Sequence, residues 1–182
     1  KLGATQVVAC EAEPLVAKTA TSIVQTNGFA DTVTILSKIS YDIELGKDLP
    51  EKADVLIHEI FDSAIIGEHV LPAIEDAKKR LLKPEALIVP HAASIMIALM
   101  GGEAAGQYLR VESSHGFDLS GFNAIASKKI PFYREDIALE PMSVPVNAFR
   151  FDFMNQDSFP AEHKLLELTA TAEGSCFGVV QW

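Results

Sequence analysis

Val55-Leu56-Ile57-His58-Glu59-Ile60-Phe61-Asp62-Ser63-Ala64-Ile65-Ile66-Gly67-Glu68 is the stretch on which the fold turns. It begins with an apolar run, carries a carboxylate just after it, and returns a second carboxylate nine positions later through a short glycine-containing loop. That order predicts a buried-type strand with two negative charges at the carboxyl edge of a sheet. A pocket of this kind fits a guanidinium, whose planar fork of donors matches carboxylate oxygens.

Working outward, the neighbouring segments alternate strand and helix. Upstream, Gln6-Val7-Val8-Ala9-Cys10 is a short β-rich run, and Pro14 opens an amphipathic stretch to about Asn27, with Leu15, Ala20, Ile23 and Val24 at helical spacing. Asn27-Gly28 closes that helix as a C-cap. Val33-Thr34-Ile35-Leu36 reads as the next strand. Downstream, Val70, Leu71, Ile74, Ala77 and Leu81 predict a helix over Val70 to Leu82, followed by a strand at Ala86-Leu87-Ile88-Val89. Lys78, Lys79 and Arg80 near the helix end suit its dipole and read as a solvated face. The alternation predicts an α/β fold with a doubly wound parallel sheet that binds ligands at its carboxyl edge.

After Pro90-His91 the grammar changes. Ser94 to Leu99, Met142 to Val146, Phe149 to Phe153 and Leu165 to Ala170 read as strands; Glu173-Gly174-Ser175 then signals a hairpin into Cys176 to Trp182. Residues 1–90 thus form an α/β part and 91–182 an antiparallel β part. Ala86 to Met100 is almost continuously apolar, but it contains Pro90 and His91. It also falls short of the ~20 residues of a spanning helix, so it reads as two buried strands.

Composition sets the outer limits. A chain of 182 residues, 48% hydrophobic and 8% aromatic, can bury a real core and is neither disordered nor collagen-like. Fifteen basic against twenty-five acidic residues, net charge -10, argue against direct nucleic-acid binding and suit a basic peptide partner. Cys10 and Cys176 form no CxxC, which favours a reducing cytoplasmic or nuclear setting over a disulfide framework. The five histidines, His58, His69, His91, His115 and His163, show no metal-ligand spacing and read as structural or solvent-facing. Gly101-Gly102 reads as a turn rather than a phosphate loop.

Glu11 follows the first strand, in Ala9-Cys10-Glu11-Ala12-Glu13-Pro14. A nucleotide-binding βαβ unit places an acid for ribose hydroxyls at a strand end of this kind, and a helix N-terminus also attracts acids for capping. Joined with Glu59 and Glu68, Glu11 makes the sequence resemble the protein arginine N-methyltransferases, from Lys1 to Trp182. Leu2-Gly3-Ala4 with Val7 to Glu11 looks like that family's second strand. Leu82-Lys83-Pro84 through Ile88-Val89-Pro90 resembles its LKPGG-LIxP stretch, with Glu85-Ala86 where glycines are common. Glu59-Ile60-Phe61-Asp62 and Ile66-Gly67-Glu68 follow the E-L-F-D-x-x-x-I-G-E loop of the monomethylating protein arginine methyltransferase 7 group. Asn27-Gly28-Phe29 and Gly178 to Trp182 resemble that group too.

The resemblance implies a partial Rossmann-like class I methyltransferase sheet in 1–90 and an antiparallel β-barrel-like substrate-binding half in 91–182. It implies an S-adenosyl-L-methionine-dependent arginine N-methyltransferase of the monomethylating kind, acting on an arginine-containing protein or peptide. Glu59 and Glu68 would be its catalytic guanidinium clamp; Glu11 would bind the donor's ribose, and Ser40 and Tyr41 would form its adenine-contacting turn, Ser40 acting mainly through its backbone. Phe61 and Asp62 would line the arginine pocket, Phe61 by bulk unless it packs in the core. The family's Gly-rich loop would precede Lys1 and its Thr-His-Trp-type loop would follow Trp182. The sequence opens on Lys1-Leu2-Gly3 with neither initiator Met nor signal-peptide pattern, so it reads as a fragment or processed form with an incomplete cofactor site.

The family pairs through an arm from its β half, and Gly116 to Phe122 reads either as that arm or as a short helix; the implied assembly is a homodimer or a tandem-module pseudo-dimer. A competing expectation is a degenerate methyltransferase-like module that scaffolds a functional twin or binds partners. A small-molecule methyltransferase on the same sheet is a third.

Overall fold

The computed structural model describes residues 3–130 and 138–181, so Lys1, Leu2 and Trp182 of the motifs above lie outside the described residues. Contacts divide the chain into two units. One comprises Lys1–Ile60, Glu68–Ala92 and Asp152–Pro160; the other comprises Phe61–Gly67, Ala93–Phe151 and Ala161–Trp182.

In the first unit, β1 (Val7–Cys10) runs parallel to β2 (Val33–Leu36), with Val7 opposite Val33 and Cys10 opposite Leu36. Helix α1 (Pro14–Thr26) connects them. Pro14 sits in its first turn, where no N–H is needed, and the Glu13 side chain accepts from the Leu15 amide. Asn27 caps the other end, and Gly28 takes the left-handed conformation at φ +73° that ends helices. Strand β3 (Ala53–Ile57) runs parallel to β4 (Leu82–Val89), with α2 (Val70–Arg80) crossing between them. Both crossovers are the βαβ connections that the alternating pattern predicts.

The core of this unit is built on α2 and β4. Val70, Ile74 and Ala77 recur at helical spacing and are buried; Leu82, Ala86 and Ile88 are buried on one side of β4, while Leu87 and Val89 are exposed. Phe153, fully buried, belongs to the same unit. Two expectations about burial are corrected. Of α1, only Ala17 is buried, and Leu15 and Ile23 of the predicted apolar face are exposed. Within β3, Val55 and Ile57 are likewise exposed. The cause is common to both: β1–β2 and β3–β4 form separate two-stranded ladders, and parallel strands lose their apolar faces to solvent unless both are covered.

The second unit is organised around β5 (Ala92–Gly101). After it come α3 (Glu103–Leu109), the small ladder of β6 (Ser113–Ser114) and β7 (Phe117–Asp118), and a 3-10 helix over Ser120–Ile125. Strands β8 (Glu140–Pro141), β9 (Val146–Asp152) and β10 (Cys176–Gln181) complete it. All three of these pair with β5, β8 and β10 antiparallel to it. Ile95, Ala98, Ala105, Met142 and Ala148 are buried, and the one buried polar side chain among the described residues, Ser143, accepts from the Leu99 amide at 2.9 Å. The predicted strand at Met142 to Val146 is interrupted, because Pro145 has no N–H for a ladder. Leu165 to Ala170 is not a strand either: it makes a single bridge, Ser143 to Ala170, and Leu165 is 94% exposed. Its Leu, Glu and Ala content carries little β preference. Since β10 pairs with β5 instead, Glu173-Gly174-Ser175 closes no hairpin between the segments predicted to pair.

No helix among the described residues is long and apolar enough to cross a membrane. Because Ile74 is 1% exposed, Ile74→Ala should lower unfolding free energy by about 2–5 kcal/mol in urea titrations. Leu165→Ala should change it by less than about 0.5 kcal/mol, against a clear loss if that segment were a packed strand.

Candidate functional site

The carboxyl edge of the β1–β2 ladder carries the first group of candidate residues. Glu11 follows β1, and its amide extends the ladder by donating to the Leu36 carbonyl at 2.9 Å. Its Oε1 accepts from the Glu13 amide at 2.7 Å, so this acid does cap the approach to α1. Its other carboxylate oxygen has no hydrogen-bond partner among the described residues. Past β2, Ser40–Asp42 forms a 3-10 turn. The strand register therefore puts the Glu11 carboxylate and the Ser40–Tyr41 backbone at one end of one parallel pair.

Helix α2 holds that turn from below by a single side chain. Arg80 binds the Asp76 carboxylate through Nε at 2.7 Å and Nη2 at 2.6 Å, the fork geometry of a bidentate pair one helical turn apart. The same guanidinium donates to the carbonyls of Ile43 at 2.8 Å, Ser40 at 3.2 Å and Tyr41 at 3.2 Å. Partial burial pushes the Tyr41 phenol above its ordinary pKa, and the Asp76 and Glu75 carboxylates push the same way. An open cleft of about 750 Å³ is lined by Lys38, Tyr41, Asp42, Ile43, Glu44, Leu45 and Arg80.

The second group flanks the loop after β3. The His58 amide continues the ladder to the Val89 carbonyl at 3.0 Å, and its ring meets Phe153 edge-on with centroids 5.3 Å apart. Glu59 follows, exposed; Glu68, also exposed, stands two residues before the start of α2. Among the described residues neither carboxylate makes a hydrogen bond or an ion pair with the protein.

The intervening residues 61–67 form a turn organised by Asp62. Asp62 Oδ1 accepts from the amides of Ala64 at 3.1 Å and Gly67 at 2.9 Å, and its carbonyl accepts from the Ile65 amide at 2.9 Å. This Asx-type turn holds Ile65 at φ +70°, a conformation a β-branched residue adopts only when its surroundings fix it. A Cβ at Gly67 would run into the Asp62 carboxylate, so any other residue there requires that carboxylate to move off the turn it holds. Phe61 is half-buried.

Sequence reading missed how the cations of α2 are used. Arg80 and Lys78 are not a solvated face: Lys78 donates to the carbonyls of Met154 at 3.1 Å and Gln156 at 2.7 Å and pairs with Asp157 at 3.0 Å. Only Lys79 of the three is exposed. The i, i+4 spacing of Asp76 and Arg80 was the signal available for that pair. Among the described residues no group of three or more His, Cys, Asp or Glu side chains is placed to hold a metal ion.

No protein-family model matches the chain. It is 31% identical over 183 residues to an arginine N(omega)-methyltransferase of Streptomyces achromogenes subsp. streptozoticus, covering 100% of this chain and 50% of that protein. Against protein arginine N-methyltransferase 7 of Drosophila ananassae it is 28% identical over 197 residues, covering 99% of this chain and 28% of the relative. The structure resembles one solved for the Trypanosoma brucei PRMT1 enzyme-prozyme heterotetrameric complex with AdoHcy (TM-score 0.70, 23% identity, 85% of this chain and 47% of that one). A second likeness, to Arabidopsis thaliana protein arginine methyltransferase 10, has a TM-score of 0.61 at 20% identity. These likenesses show the fold, a Rossmann-like α/β part with a β-barrel-like region, whose sheets do not close among the described residues. The resemblance drawn from the glutamate loop thus extends along the whole chain, which spans half or less of the length of these relatives.

Burial holds the His58 imidazole below its ordinary pKa, opposed in part by its hydrogen bond with the Pro90 backbone. The unfolded chain then binds a proton that the folded one resists, so this contribution to stability is present above about pH 6.5 and is lost as pH falls below it. Urea midpoints measured from pH 7.5 to 5.5 should fall in the wild type, and His58→Gln should flatten part of that slope.

Proposed function

We propose that this chain, which aligns end to end with arginine N-methyltransferases, carries the guanidinium clamp and part of the donor site of an S-adenosyl-L-methionine-dependent protein arginine N-methyltransferase of the monomethylating kind. One observation carries the proposal. Glu59 and Glu68 flank a single tied turn, both are exposed, and neither is committed to a partner among the described residues. Asp62, Asp76, Asp48 and Glu75, by contrast, are bonded to backbone amides or cations. Carboxylates left uncommitted on an ordered loop are available to a cation from outside.

The chemistry explains why two are needed. An arginine side chain is protonated at all ordinary pH, its pKa lying above about 12, so its nitrogens are poor nucleophiles. Glu59 and Glu68 would grip it through charge-assisted bonds, fix its plane and draw positive charge toward the gripped nitrogens. The remaining nitrogen is then the one left to react. The donor supplies, when bound, a methyl group activated by a sulfonium. The residues present suit its nucleoside: the carboxylate oxygen left over on Glu11 is an acceptor for ribose hydroxyls, and the Ser40–Tyr41 backbone stands at the same strand edge. Catalysis on this reading is positioning plus electrostatics, both of which are set before the substrate arrives.

Asp62 has its Oδ1 occupied by two loop amides. Its part is to hold the turn that ends next to Glu68, ahead of any contact with substrate. Phe61 stays beside it as a candidate wall of the arginine pocket.

Glu59→Gln and Glu68→Gln in the full-length protein should each lower kcat/KM for methyl transfer to an arginine-rich peptide by on the order of 10²-fold, the scale of losing one preorganised electrostatic partner. Near wild-type rates in both variants would sink the clamp. Mass spectrometry of the product should show monomethylarginine; accumulation of dimethylarginine removes the monomethylating assignment. Free L-arginine belongs in the same assay, because the name of the Streptomyces relative specifies arginine and not protein arginine. Failure of the full-length protein to bind S-adenosylmethionine in calorimetry would favour the scaffolding module instead.

A further inference from the structure

We infer that Arg80, held by Asp76, is a positioning residue for the nucleoside of the methyl donor, and this rests on the donor site proposed above. The argument begins with the backbone. The Ser40–Tyr41 and Tyr41–Asp42 peptide groups both aim their carbonyl oxygens at the Arg80 guanidinium, at 3.2 Å each. In a trans peptide the N–H points opposite to the C=O, so fixing the Ser40 carbonyl fixes the Tyr41 amide on the other side of the turn. The Asp42 amide is used internally, donating to the Ile39 carbonyl at 3.1 Å. The Tyr41 amide has no such partner among the described residues, which leaves an oriented donor at the carboxyl edge of the β1–β2 ladder.

A donor of this kind suits a ring nitrogen of a purine, an acceptor without charge. It stands past the strand end paired with the one that leads to Glu11, whose second carboxylate oxygen suits the ribose hydroxyls.

Lys38 is a second cation at this turn, its Nζ 3.4 Å from the Asp42 carbonyl, but among the described residues Arg80 is the one side chain that reaches the Ser40 and Tyr41 carbonyls. The turn has no side-chain cap, and its own backbone hydrogen bonds are those from the Asp42 amide to the Ile39 carbonyl at 3.1 Å and from the Ile43 amide to the Ser40 carbonyl at 3.2 Å. Arg80 adds a third anchor at the Ile43 carbonyl, 2.8 Å away, and Asp76 holds the guanidinium flat against all three carbonyls. A lysine in its place supplies charge but not the planar fork that reaches a carboxylate and three carbonyls at once.

The test uses the full-length protein with Arg80→Gln, Arg80→Lys and Asp76→Asn. Two measurements are made: amide hydrogen exchange across residues 40–43, and calorimetry with S-adenosylhomocysteine and with 5′-methylthioadenosine, which lacks the amino-acid end. Arg80→Gln should speed exchange at Asp42 and Ile43 and weaken both ligands by the same factor, about tenfold or more, equivalent to ~1.4 kcal/mol. Arg80→Lys and Asp76→Asn should give smaller losses in the same direction. In steady-state assays the KM for the donor should rise while that for the arginine peptide holds.

Wild-type affinity for both ligands in folded Arg80→Gln overturns the inference, as does a loss confined to S-adenosylhomocysteine. If Arg80→Gln does not fold, unchanged affinity and exchange in both Arg80→Lys and Asp76→Asn overturn it equally. Absence of binding to either ligand in the wild type overturns the donor site itself, and this inference with it.

Discussion

Backbone carbonyls outside regular ladders need donors, and in the first unit helix α2 supplies them. Arg80 satisfies three carbonyls of the segment after β2, and Lys78 reaches carbonyls in the segment after β9, with Glu75 taking the Phe159 amide. Bonds from charged groups contribute about 1.5–3 kcal/mol each where they hold, more than neutral pairs. They work only because Val70, Ile74 and Ala77 seat the helix in the core first. Apolar burial fixes the helix, and the helix then orders two irregular segments through its last turns. One of those segments bears the proposed nucleoside contact.

The distribution of acid groups follows a division of labour. The chain carries a net charge of -10, and its acids differ in whether the protein itself supplies them with a partner. Asp62, Asp76 and Asp48 accept from loop amides, from Arg80 and from Lys38. Glu59 and Glu68 do not. Carboxylates without a partner among the described residues are open to an incoming cation, which is what the proposed guanidinium clamp requires. The turn between the two acids is kept in order by Asp62 and Gly67 at the expense of a left-handed Ile65.

Much of this was legible in the sequence, for physical reasons that differ by element. Helix α1 starts at Pro14 and ends at Asn27-Gly28 as read, because proline and glycine act through their own backbone and need no tertiary context. Strand β2 was read to the residue, and α2 ends two residues before its predicted limit. Burial was less legible: the apolar Val55-Leu56-Ile57 run signals a strand, but which of its faces is covered depends on neighbours far away in the chain. Leu165 to Ala170 failed for a related reason, since strand pairing is decided by the partner, and β10 pairs with β5. For the candidate site, the two glutamates and Glu11 stood out by position alone. Arg80 did not, because what matters about it is a set of carbonyls some forty residues upstream, which no local pattern encodes.

The segment Asp152–Pro160 carries a consequence for how this protein can be divided and inherited. It is encoded after β5 through β8 and begins on the last residue of β9, yet it supplies the first unit with Phe153, whose ring is fully buried there beside His58 and Phe159. A gene fragment stopping near residue 92 would encode every strand and helix of that unit and still leave a hole in its core. Recombination could therefore not shuffle the first unit as a self-contained cassette. Any lineage that keeps its core must keep the reading frame open at least to residue 160, and with it the intervening second-unit strands.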